Sequence, residues 1–158
     1  MFYRRAVLIA VSAVAVGSAA AVYASASGTD ETVSVPVPDA RVAGYCRALH
    51  AVLPRKVDGL SRHDLKPESE LTAGWGHPAI VLRCGTARPE VLNIPDTDGM
   101  TVDGVGWAIE QEPGGVFRLT TTLRKAYVEV TLPKKFAGDV DALVDLAGAV
   151  KKTIPEGI

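Results

Sequence analysis

Cysteine is scarce in this chain: Cys46 and Cys84 are the two present among 158 residues. No standard zinc finger or ribbon spacing can be written with them. Because no cysteine precedes Cys46, a lipid anchor on an N-terminal cysteine is also excluded. Positive charge is not in excess, with 17 Lys and Arg against 18 Asp and Glu. The concentrated basic patch that a nucleic-acid partner favours is missing. A Gly-x-Ser-x-Gly nucleophile elbow is absent too, which removes the simplest serine-hydrolase reading. The chain shows no internal repeat.

What is present begins with the N-terminus. Arg4 and Arg5 precede a stretch from Ala6 to Ala24 with no charged side chain. Its length is close to the ~20 residues an α-helix needs to cross a bilayer. Ala24, Ser25 and Ala26 supply the small-residue pattern that signal peptidase cuts. Residues 1–26 are therefore expected to be a signal peptide or an N-terminal membrane anchor. No basic residue follows the apolar run until Arg41, so the remainder is expected outside the cytoplasm, either held at the cell membrane or released after cleavage near Ala26. Residues 27–40, rich in Ser, Thr and Pro, read as a linker that holds the domain off the membrane.

Residues 41–158 carry the domain. Asp39 can cap a helix whose apolar positions Val42, Cys46, Leu49 and Leu53 share one stripe, and Pro54 ends it. Arg55 to Gly74 is charged and reads as a surface loop. Ile80 to Leu82 form a buried strand, Glu90 to Ile94 suggest another, and Pro95 to Gly99 a turn. Val105, Trp107 and Ile109 alternate, Glu112 to Gly115 turn the chain, and Phe117, Leu119, Thr121 and Leu123 alternate again. Ala126, Val128, Val130 and Leu132 alternate in the opposite phase, which demands a turn or bulge near Arg124 and Lys125. A last helix from about Asp139 is expected to bury Val140, Leu143, Val144, Ala147, Val150 and Ile154. The expectation is an α+β fold: an antiparallel sheet of about four to five strands, with an N-terminal and a C-terminal helix packed on one face.

The segment from Trp75 to Cys84 concentrates the chemistry. Outside the cytoplasm, two thiols that can meet oxidise. The buried helix stripe carries Cys46 and the buried strand carries Cys84, so a disulfide is the leading reading. A zinc set of Cys46, His50, His77 and Cys84 is the alternative. A nucleophilic cysteine needs a free thiol and a nearby base, which the disulfide forbids. Trp75, between two glycines and beside His77, is either a flat platform for a ligand or a plug over the core; the pair is the candidate ligand-binding site. An enzyme reading would use His77 with Asp103 or Glu110. Glu110 and Glu112 otherwise read as the wet face of a strand. The acidic run Asp96 to Gly99 is no EF-hand: with Gly99 in the sixth place, the first and twelfth fall on Ile94 and Val105. No catalytic residue, metal or cofactor is assigned.

The pieces CRALHAVLP, GWGHPAIVLRCG, VDGVGWAIE, RKAYVEVTLP and ALVDLAGAVKKTIP occur in this order from Cys46 to Pro155. They resemble an actinobacterial family of exported or membrane-anchored proteins, domain of unknown function 3515. The resemblance implies an envelope location and no activity. It also implies a genomic neighbourhood shared with a cell-wall precursor ligase. The functional expectation is a non-catalytic binding or assembly module of the cell envelope, its partners the membrane and an envelope protein or cell-wall component. A small extracytoplasmic hydrolase or transferase, or a metal-binding protein, is the alternative.

Overall fold

The computed structural model describes residues 31–157. The apolar stretch, the cleavage pattern and the start of the linker lie outside the described residues. Among those described, no helix is long and apolar enough to cross a membrane.

Helix α1 spans Ala40–Val52, and its cap is the expected one: the Asp39 side chain accepts a hydrogen bond from the Val42 amide at 2.9 Å. Cys46 and Leu49 are buried on its inner stripe, and Leu53 follows into the core before Pro54. At the other end of the domain, α2 spans Asp141–Thr153 and buries Ala142, Leu143, Leu146, Ala147 and Val150, followed by Ile154. Val140 and Val144 were expected on that buried face. They stand 40% and 43% exposed, because the helix turns its Leu143, Leu146 and Val150 stripe to the core and leaves the two valines on its flank.

Between the helices run eight strands, all paired antiparallel: β1 (Lys56–Val57), β2 (Leu60–His63), β3 (Thr72–Trp75), β4 (Ile80–Thr86), β5 (Gly99–Val102), β6 (Val105–Glu112), β7 (Val116–Thr121) and β8 (Tyr127–Leu132). They form one sheet in the order β1-β2-β3-β4-β8-β7-β6-β5. This corrects the expected count of four to five. The added strands β1, β2, β3 and β5 are two to four residues long, too short to show period-two alternation. Three of them lie wholly or partly in the segment expected to be a loop. Glu90–Asn93, expected as a strand, is a single 3-10 turn. The phase switch after Thr121 is a change of strand: β7 ends there and β8 begins at Tyr127.

The two helices pack together, α1 against β4 and α2 against β1, β5 and β6. One core cluster joins them to alternating residues across the sheet, including Ala73, Leu82, Val130, Leu119 and Trp107. On the other side of the sheet, a small second cluster gathers Leu65, Ala79 and Val81 beneath Val33. The chain from Glu31 to Pro38 is laid along that side as a strap. The Val33 amide donates to the Lys66 carbonyl at 2.8 Å, the Lys66 amide to the Glu31 carbonyl at 3.0 Å, and Arg83 Nη1 to the Ser34 carbonyl at 3.2 Å. Part of the segment read as a linker is thus hydrogen-bonded to the domain.

Candidate functional site

The two sulfurs are joined. Cys46 and Cys84, 38 residues apart, form a disulfide with Sγ–Sγ of 2.03 Å and Cα–Cα of 5.5 Å, and both are buried. Neither is available as a thiolate, so the bond disposes of the nucleophile and of the Cys2His2 zinc set together. Gly85, next to Cys84, makes the bulge at which the β4–β8 register shifts.

The Trp75–His77 pair divides at this hairpin. Trp75 at the end of β3 has no exposed surface, and its indole Nε1 donates to the Pro54 carbonyl at 3.1 Å. It plugs the core behind the exit of α1 and offers no platform. His77, two residues on, stands exposed in the turn to β4. Its ring stacks on His63 of β2, with centroids 4.6 Å apart and planes inclined by 17°. His63 Nε2 lies 3.0 Å from the Gly76 carbonyl. Gly74 explains the close fit: a Cβ there would come within 2.7 Å of Leu65 Cδ2 and 3.0 Å of His63. His63 escaped the sequence reading because its strand read as loop. Only the β2–β3 register, His63 opposite Gly74, brings it to the hairpin.

His50 lies on α1 one turn after Cys46, beside Arg62 of β2. Arg62 Nη2 is 2.7 Å from His50 Nε2, and Nη1 donates to the His50 carbonyl at 3.2 Å. A guanidinium only donates, so Nε2 accepts and the ring proton resides on Nδ1. Burial, and then the Arg62 charge, hold His50 below its ordinary 6.5, with Glu70 and Asp64 opposing. Burial likewise lowers Arg62. An open cleft of about 470 Å³ beside them is lined by His50, Asp64, Glu68, Ser69 and Glu70.

Two further charged clusters were not visible in the sequence. Asp58, Asp139 and Asp141 bring a carboxylate oxygen each within 4.8 Å of the others. Burial first, then Asp139, Asp141 and Asp145, raise the Asp58 carboxyl above its usual value. On the strap side, Glu129 of β8 is almost fully buried between two arginines. Arg83 Nε and Nη2 grip it at 2.9 and 3.1 Å, and Arg118 Nε lies 3.8 Å away while pairing also with Glu112. Such a bidentate clamp satisfies a buried carboxylate.

The residues of the enzyme reading do not share a cleft. His77 follows β3, whereas Asp103 follows β5, with β4, β8, β7 and β6 between those strands. The two turns also lie at opposite ends: the β4–β8–β7–β6 registers place the β3–β4 turn beside Leu132 and Phe117, and the β5–β6 turn beyond Thr121. Glu110 sits on β6 opposite Arg118.

No curated protein and no solved structure matches this chain. A family model does, over residues 6–158, and the chain therefore belongs to the family described as Protein of unknown function (DUF3515).

Proposed function

We propose that the chain is a non-catalytic binding or assembly module of the cell envelope, its domain outside the cytoplasm, held by residues 1–26 or released by cleavage near Ala26. The observation that carries this reading is the buried Cys46–Cys84 bond, since structural disulfides form and persist in oxidising compartments. Supporting it from the sequence are the two arginines ahead of the charge-free Ala6–Ala24 stretch and the absence of a basic residue from there to Arg41. Among the described residues, His77, Asp103 and Glu110 are dispersed, which leaves the binding role as the stronger of the two expectations.

The test uses cells with the envelope opened but the inner membrane intact. Added protease digests the domain while a cytoplasmic marker survives, and both cysteines resist alkylation until reductant is supplied. Membrane-impermeant crosslinking then recovers the chain joined to an envelope protein or glycan. Protection of the domain from protease, or two thiols that alkylate without reductant, defeats the reading.

A further inference from the structure

Strand β5 ends the sheet: among the described residues no strand pairs with its outer edge. Its pairing with β6 sets which backbone groups remain free. The Ile109 amide donates to the Asp98 carbonyl at 2.9 Å, and Met100 and Val102 stand opposite Trp107 and Val105. Antiparallel alternation then turns Asp98, Met100 and Val102 toward β6, and directs the N–H and C=O groups of Gly99 and Thr101 outward. Both residues are exposed. The edge thus presents two donors and two acceptors at the two-residue spacing that a further strand would read.

A side wall already stands beside that edge. Helix α2 packs on β5 and β6, and a narrow apolar cavity of about 80 Å³ joins Met100, Ile109 and Phe117 to Val140 and Leu143. At the far end of the helix, the position where a Cβ on Gly104 would stand lies 3.7 Å from Lys151, so α2 runs alongside the β5–β6 hairpin. Val140, Val144 and Lys151 share the flank of α2 that follows this course, as residues spaced by four and seven do. The two exposed valines therefore border the open edge. An apolar stripe that outruns its core beside an unpaired strand is what a partner strand would complete.

We propose that the β5 edge receives an extended segment of another protein by strand addition, with apolar side chains alternating against Met100, Val140 and Val144 and a lysine or arginine at its end. The charge follows from the acidic residues at that end of the groove: Asp98, paired to Ile109 just before β5, Asp139, which lines the cavity with Met100 and Val140, and Asp141, whose carboxylate lies within 4.8 Å of those of Asp139 and Asp58. A second copy of this chain is the competing occupant that the test separates: two β5 strands pairing antiparallel about Met100 would set Gly99 of one against Thr101 of the other. The proposal deepens the binding-module reading and rests on it, but its test is independent of where the protein resides.

The full chain, purified in mild detergent, is titrated with a labelled peptide of about seven residues that alternates valine and threonine between terminal lysines. Its glutamate-ended counterpart is the control. We expect saturable binding of the lysine peptide, at least about tenfold weaker binding of the glutamate peptide, and amide shift changes at Gly99 and Thr101. Thr101→Pro removes one outward donor and leaves the β6 ladder intact; Val144→Lys charges the wall. Each is expected to weaken binding about tenfold or more with an unchanged far-ultraviolet spectrum. Val144→Lys also serves should Thr101→Pro fail to fold. Absence of binding, equal binding of both peptides, binding that survives both substitutions, or a wild-type dimer closed through β5 would each overturn the proposal. None of these results bears on the protease experiment, so the two readings fail separately.

Discussion

His50 shows how one contact decides the state of a titratable group. Its Nε2 faces a guanidinium at 2.7 Å, a neighbour that accepts no hydrogen bond, so protonating the ring costs that bond and places two cations together. A base whose folded value is lowered binds fewer protons in the native state than in the unfolded chain. Its contribution to stability is complete above the unfolded value near 6.5 and is lost as pH falls through the lowered one. His50→Gln keeps an acceptor for Arg62 without a titrating ring. Urea midpoints at several pH values from neutrality down to about pH 5 should fall less steeply in the variant than in the wild type. Parallel curves would show that His50 does not set the acid limb. The His50–Arg62 contact was not legible in the sequence, because a two-residue strand and a tight turn had to carry Arg62 back beside α1.

The strap and the β4 bulge belong to the scale of elements. Gly85 has φ of +85°, and a Cβ there would stand 2.7 Å from Pro38 Cγ, so the strap lies where only hydrogen fits. Gly85→Ala is expected to destabilise the domain by about 1–3 kcal/mol, through both the positive φ and the clash. The measurement is a denaturant midpoint, with limited proteolysis to show Glu31–Pro38 lifting from the sheet. An unchanged midpoint would mean that the strap contributes nothing. Elements with long repeats were read correctly from the chain: α1 with its Asp39 cap, the β6 to β7 hairpin through Glu112–Gly115, and β8. The short ones were not. β1, β2 and β5 gain their stability from register with a neighbour, and a segment such as Arg55 to Gly74 holds too few apolar positions to announce it.

For the molecule as a whole, the disulfide ties α1 to β4 across the core and closes a loop of 38 residues. Chain-entropy arithmetic makes this about 4 kcal/mol, a large share of the 5–15 kcal/mol or so that holds a domain folded. Replacing both cysteines by alanine should lower the thermal midpoint sharply, and reductant should shift the wild type toward the variant while leaving the variant unmoved. Equal midpoints with and without reductant would leave the bond without a stabilising role. The sheet offers a second molecular lesson. Both of its terminal strands, β1 and β5, contact α2, so the sheet curves about that helix.

Composition and periodicity determined the α+β class, the two helices with the Asp39 cap of α1, and the pairing of the two cysteines, because these depend on local spacing or on there being just two thiols; the kinship of the chain was legible in the resemblance of its motifs. Tertiary structure decided the rest. It sank Trp75 into the core while leaving His77 outside, since β3 ends at Trp75 and the turn that follows carries His77 off the core face. It stacked His63 on His77, clamped Glu129 between arginines from β4 and β7, and left Val140 and Val144 exposed on the flank of α2. Each of these depends on which distant strand becomes a neighbour, and that is a property of the folded sheet that no spacing along the chain encodes.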